Sequence, residues 1–136
     1  MKKISTHYKV SIADINYGGH MGNDKALSIF HEARINFLEH FGYSEASISD
    51  NVGIILTEAN IKFKKEVFLH DKLEVEVWIS KVKGVRWTLS YKAVRKADNA
   101  EVFSGTTLMV PFNYKTRKIC HIPEKFLNAT FEEDNL

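Results

Sequence analysis

The stretch Asp14-Ile15-Asn16-Tyr17-Gly18-Gly19-His20-Met21-Gly22-Asn23 sets polar side chains among three glycines, and the chemistry of this chain is expected there. Asp14 brings a carboxylate, Asn16 and Asn23 carboxamides, and His20 an imidazole, the group that ordinarily titrates nearest neutral pH. Gly18, Gly19 and Gly22 lie among them, and glycine permits positive φ and close approach of backbone to a ligand. Asn23 followed by Asp24 is a helix-start signal. A glycine-rich turn therefore leads into a helix N-terminus, whose unpaired N–H groups and partial positive charge suit a developing oxyanion or a phosphate. The plain alternative is that the glycines only shape a strand-to-helix turn with His20 on the surface beside it. For a lone Gly-Gly pair that alternative is the stronger one.

The element behind this loop is a helix over Asp24 to Phe41. Leu27, Phe30, Arg34, Phe37, Leu38 and Phe41 recur at three-to-four spacing, Ala26, Ile29 and Ala33 widen the apolar face, and Gly42 stands where a helix ends. Period-two segments follow. Leu73, Val75, Val77 and Ile79 alternate with Glu74, Glu76, Trp78 and Ser80, and Trp87, Leu89, Tyr91 and Ala93 alternate with Arg86, Thr88, Ser90 and Lys92. Gly84 and Asp98-Asn99 supply turns on either side of the second segment, which makes an antiparallel meander. Further strands fit Tyr8 to Ala13, Ile54 to Lys64 and Glu101 to Phe112. One long helix followed by a meander is an α+β layout, with the sheet covering the helix's apolar face.

With 136 residues, 44% hydrophobic and 26% charged, the chain reads as one domain over residues 1–136. Met1 to Lys3 and Phe131 to Leu136 are expected to fray. No apolar run reaches membrane-span length, and Lys2-Lys3 has no apolar stretch behind it, so no signal peptide is expected and the compartment expected is the cytoplasm. The single Cys120 excludes an internal disulfide and a multi-cysteine metal site, and reads as a buried, inert thiol. A net charge of +2 is too mild for a nucleic-acid binder but compatible with a small anionic ligand. Lys62/Lys64/Lys65, Lys81/Lys83/Arg86 and Lys115/Arg117/Lys118 are the basic groups, each first of all a solvated edge or hairpin tip. His31-Glu32 starts like a zinc-protease motif, but position 35 is Ile and the histidine pair is missing, so no metal is expected. There is no Gly-x-Ser-x-Gly elbow and no phosphate-binding glycine loop followed by Lys-Ser or Lys-Thr. Glu32 and Arg34 read as a structural polar edge of the helix.

The glycine loop resembles the signature of hot-dog-fold thioesterases of the 4-hydroxybenzoyl-CoA thioesterase-like superfamily. There the pattern runs roughly Asp-x-Asp-x-x-Gly-His-x-Asn-Asn before a helix containing Glu-Ala-Arg. Asp14, Asn16, Gly19, His20, Gly22 and Asn23 match or replace its positions here, followed by Glu32-Ala33-Arg34, and the likeness runs from about Tyr8 to Pro123. It implies a hot-dog fold, one long central helix wrapped by a mainly antiparallel sheet of about five strands. It implies a metal-independent hydrolase of acyl-CoA or acyl-carrier-protein thioesters, with coenzyme A only as part of the substrate and no cofactor. A pocket shared across a homodimer, or a homotetramer of dimers, is implied as well. Two positions depart from the pattern: the second aspartate, often the catalytic carboxylate, is Asn16, and the first paired asparagine is Gly22. An amide can orient a water or a carbonyl but cannot act as base or nucleophile. The expected catalytic set is thus His20 as base, Asn16 as orienting amide and Asp14 as the alternative base. Gly19, Met21, Gly22 and Asn23 are expected to bind substrate. Glu66, in Lys64-Lys65-Glu66-Val67, resembles an acid implicated in plant acyl-carrier-protein thioesterases, although an exposed Glu after two lysines is ordinary. The alternatives are a dehydratase or hydratase of acyl thioesters and a non-catalytic acyl-thioester binder.

Overall fold

In the computed structural model, which describes residues 2–133, the alternating segments become strands with one face buried. The element order is β1 (Ile4–Lys9), a 3-10 turn (Ile12–Asp14), α1 (Lys25–His40), β2 (Val52–Phe63), β3 (Lys72–Lys83), β4 (Arg86–Arg95), β5 (Ala100–Asn113), β6 (Lys118–Ile119) and α2 (Glu124–Thr130). The sheet is antiparallel in the order β1-β3-β4-β5-β2, with β6 added to β5. Among the described residues six strands and two α-helices thus replace the expected five and one. The short β6 and α2 lack a period long enough to show in sequence.

Leu73, Val75, Val77 and Ile79 of β3 and Trp87, Leu89, Tyr91 and Ala93 of β4 all face the core, as their alternation requires. Against them lies α1, burying Ala26, Ile29, Phe30, Ala33, Arg34, Phe37 and Leu38. The Phe30 ring stacks on Tyr91 at 4.4 Å and meets Phe103 of β5 at 5.4 Å. α1 ends in a Schellman motif: Gly42 takes φ +85°, its N–H donates to the Glu39 carbonyl at 3.0 Å, and Tyr43 N–H reaches Leu38 at 2.8 Å. α2 plugs one end of the core through Phe126, against Trp87 and Tyr43.

Four expectations are corrected. Tyr8 to Ala13 is not a strand, because β1 stops at Lys9 and Ser11 begins a 3-10 turn. Leu27 does not join the core; it is 40% exposed on the flank of α1. Lys2 is tied down, its Nζ donating to the carbonyls of Asn128 and Ala129, and Phe131 packs on the core. Of the expected frayed ends, Met1 and residues 134–136 lie outside the described residues. Cys120 is half-buried.

At the far sheet edge, β2 pairs only with β5. Residues 55–60 are exposed on both faces, so the in–out alternation that orders the other long strands is lost there.

Candidate active site

The loop after the 3-10 turn is built from its own backbone. Ile15 and Met21 pair across it, Asn16 N–H donates to the His20 carbonyl at 3.1 Å, and Gly19 N–H donates to the Asn16 carbonyl at 3.1 Å. The Asn16 side chain completes an Asx turn, its Oδ1 accepting Gly18 N–H at 3.0 Å. Its amide donors keep no partner among the described residues. Gly19 adopts φ +79°. A Cβ on Gly18 would lie 2.9 Å from His20 Nε2, so the imidazole folds over this turn only because position 18 has no side chain.

His20 Nδ1 lies 3.3 Å from the Met21 carbonyl. A carbonyl only accepts, so this contact assigns the proton to Nδ1 and leaves the Nε2 lone pair free. Met21 N–H donates to the Val67 carbonyl at 2.7 Å and pins the loop to the segment after β2. Between them is a cleft of about 230 Å³, lined by His20, Met21, Asn23, Phe63, Lys64, Lys65, Glu66, Val67 and Phe103. Its inner wall is apolar and closed, with Met21, Val67 and Phe103 all buried, while Phe63 forms an exposed rim.

At the mouth of this cleft α1 begins. Gly22 N–H is already used, donating to the Asp14 carbonyl at 2.9 Å, and Lys25 and Ala26 turn back onto Gly22 and Asn23. The N–H groups of Asn23 and Asp24 find no acceptor among the described residues, and Asp24 makes no side-chain cap. These two amides are the donors that the helix N-terminus offers a ligand.

Asp14 has a different occupation. It is buried, and its Oδ2 accepts from Tyr8 hydroxyl at 2.8 Å, Ser11 N–H at 2.9 Å and Ser11 hydroxyl at 3.3 Å. Burial and the adjacent Asp14 carboxylate push the Tyr8 hydroxyl up to about 12. Asp14 therefore clips the 3-10 turn to β1 and does not line the cleft.

A second polar system crosses α1. Arg34, with a side chain only 5% exposed, donates from Nε to Glu45 Oε2 at 2.9 Å and from Nη1 to Tyr91 hydroxyl at 3.1 Å. Tyr91 in turn lies 2.7 Å from Thr107 Oγ1. The other oxygen of Glu45 meets His31 Nε2 at 2.6 Å. Burial alone would raise the Glu45 carboxyl, but the hydrogen bonds from Arg34 and His31 outweigh it and hold the group below its ordinary value. Burial pushes the Tyr91 hydroxyl up. Arg34 is thus a structural residue of the interior, not part of an exposed edge.

Of the residues singled out in the sequence, His20, Met21 and Asn23 meet at the cleft. Gly19 and Gly22 shape the loop, Asn16 braces it and Asp14 anchors it from behind. Glu66 and two of the basic residues, Lys64 and Lys65, line the same cleft; Lys64 is paired with Glu101. Phe63, Phe103 and the His31–Glu45 pair carried no local signal, because their partners are distant in sequence. Among the described residues no group of three or more His, Cys, Asp or Glu side chains is placed to hold a metal ion. No described helix is long and apolar enough to cross a membrane.

The fold recurs in solved structures. A 1,4-dihydroxy-2-naphthoyl-CoA thioesterase from Synechocystis superposes with a TM-score of 0.85 at 21% identity, over 94% of this chain and 95% of that one. The DHNA-CoA thioesterase of Staphylococcus aureus gives 0.84 at 20% identity, over 95% and 89%. A further Staphylococcus aureus protein, solved in complex with CoA, gives 0.85 at 19% identity, over 94% and 81%. No curated protein matches the chain in sequence. The sequence model of the thioesterase-like superfamily matches residues 10–130, and the chain accordingly belongs to that superfamily.

Proposed function

We propose that the protein hydrolyses acyl thioesters of coenzyme A or acyl-carrier protein in the cytoplasm, with water as acceptor and no metal. The observation that carries this reading is the pair of unbonded amides, Asn23 and Asp24, at the mouth of a cleft that also holds a histidine with a free Nε2. In the mechanism, the two amides polarise the thioester carbonyl and stabilise the oxyanion that forms on it. His20 Nε2 takes a proton from the attacking water, and the free amide donors of Asn16 orient the water or the carbonyl. Asp14 holds the loop. The C–S bond then breaks as His20 passes that proton to the departing sulfur, releasing the carboxylic acid and the free thiol.

The same reading includes a homodimer. It is supported by the open β2 edge and by Ile55, Leu56 and Phe63, each large, apolar and more than a third exposed. The test is a panel of acyl-CoA esters with detection of free thiol. His20→Ala should lower kcat by roughly 100-fold or more with folding intact. Wild-type turnover in that variant would remove His20 from the mechanism. One observation favours a second reading, a non-catalytic binder: Asn16 stands where the pattern has its carboxylate, and Asp14 is already occupied. Saturable binding of acyl-CoA without release of thiol would select it.

A further inference from the structure

One wall of the His20 cleft is formed by residues 64–67, part of a stretch, 64–71, that joins β2 to β3 without forming helix or strand. A segment of this kind takes its shape from the partners of its backbone groups. Lys64 and Lys65 N–H both donate to the Val102 carbonyl, at 2.9 and 3.1 Å, and Phe68 N–H donates to Asp71 Oδ2 at 2.9 Å. Glu66 and Val67 sit between these ties. Val67 gives its carbonyl to Met21 N–H, and the Glu66 carbonyl is taken by Arg95, whose Nη1 donates to it at 2.8 Å.

Arg95 is the last residue of β4, its side chain is 15% exposed, and it does not line the cleft. Its guanidinium is held by a second partner. Nε and Nη2 donate to the two oxygens of Asp98 at 3.1 and 3.0 Å, a fork that sets the plane of the group. Asp98 is fixed in turn, since its Oδ1 accepts Ala100 N–H at 3.2 Å in the turn between β4 and β5. Nη1 is thereby aimed at the β2–β3 segment, where it also stands 3.4 Å from Asp71 Oδ2. Three parts of the chain meet on one planar cation. A lysine ammonium has no plane to set, so it cannot hold Asp98 by a fork and reach Glu66 together.

We propose that Arg95 is a positioning residue for the reaction: by holding the Glu66 carbonyl it fixes the Val67 carbonyl one residue on, and with it Met21 and the His20 imidazole that precedes it. Asp98 orients Arg95 for this task. The inference rests on the hydrolase reading and extends the machinery of its site to a residue outside the cleft.

The test reads kcat and KM on an acyl-CoA ester. Arg95→Leu should lower kcat by about tenfold or more with KM within about threefold, because the loss falls on the placing of His20 and not on substrate binding. Arg95→Lys should stay down with it. Phe126→Leu loosens the α2 plug away from the cleft; it should lower the melting temperature yet leave kcat within about twofold, which separates loss of position from loss of stability. Adding Arg95→Leu to His20→Ala should lower kcat no further, since Arg95 acts through His20. Independent losses in that double variant, full kcat in Arg95→Lys, or an equal loss in Phe126→Leu overturn the proposal. The ring-nitrogen NMR shifts of neutral His20 give a readout without turnover. The wild type should carry the proton on Nδ1, against the Met21 carbonyl, and Arg95→Leu should shift it toward Nε2. If the wild type cleaves no ester, the hydrolase reading fails alone, and an unchanged tautomer in Arg95→Leu still overturns the account of Arg95 as what holds His20.

Discussion

Removing the carboxylate from Glu45 should expose how much of the interior depends on it. Arg34 is 5% exposed and Glu45 27%, so Glu45→Gln leaves a buried guanidinium with an amide oxygen in place of its counter-charge. Breaking a fully buried pair from one side costs about 3–5 kcal/mol; with Glu45 a quarter open to water and the Gln oxygen still accepting from Nε, the expected cost is about 2 kcal/mol. At a urea m-value of about 2 kcal/mol/M, the unfolding midpoint should fall by about 1 M. Arg34→Met removes the cation and leaves Tyr91 its bond to Thr107, so Glu45→Gln should cost almost nothing in that background. The pH dependence has a defined sign. Glu45 titrates below its ordinary value of 4.5 in the folded chain, so its contribution is complete above about pH 4.5 and is lost as the pH falls through the folded value. The gap between wild type and Glu45→Gln should therefore close in acid. Additive costs in the double variant, or a single-variant loss under about 0.5 kcal/mol, would refute the account of Arg34 as a cation held by Glu45.

Other outcomes follow from the same geometry. Tyr8, pushed up to about 12 by burial and by Asp14, stabilises the fold fully below its ordinary value of 10.0, and the contribution disappears as the pH rises through the folded value. Stability should fall less steeply across that window in Tyr8→Phe than in the wild type, as read from melting temperatures, the remaining fall belonging to groups such as Tyr91. Light scattering at micromolar concentration should give about twice the 15.6 kDa chain mass or a higher multiple, and Leu56→Glu should shift it toward one; a wild-type monomer rejects the shared-pocket scheme. Asn16→Asp places a carboxylate beside His20. If position 16 is at the reacting centre, the rate or acyl-CoA affinity must change, and a silent substitution moves Asn16 to a purely structural role.

The parts of the fold legible in the sequence are those where one residue's environment repeats at a fixed period. β3 and β4 are half-buried antiparallel strands, so their core residues alternate without a break, and α1 announces its end through Gly42. Leu27 shows the limit of that signal: its spacing matches the buried face, yet periodicity cannot separate a core position from an uncovered flank. The shortened β1 had a local cue. Ser11-Ile12-Ala13-Asp14 carries capping-box spacing, and the Asp14 carboxylate does reach back to Ser11 N–H, which also accounts for its absence from the cleft. The loop glycines and His20 were visible because they are contiguous. Glu66 showed only through its resemblance to an acid of related enzymes, and Phe63 and Phe103 not at all, since these residues approach the loop only through the pairing of β2 with β5.

That pairing also orders the chain in time. β3, β4 and β5 join through short turns, whereas β2 meets β5 across the whole meander, with Val52 opposite Asn113, and β1 meets β3 with Ile4 opposite Val77. Closing such long loops is entropically slow, so the meander can form first and the outer strands dock onto it afterwards. The candidate active site is assembled from those late pieces: the loop following β1 and the segment following β2, joined by Met21 N–H to the Val67 carbonyl. The same edges have the fewest neighbours to hold them and are the first to let go, so the cleft can open by local unfolding while Trp87, Tyr91 and the strands around them stay packed. Exchange of the Met21 amide with solvent would then report the life of the site, separately from the life of the fold.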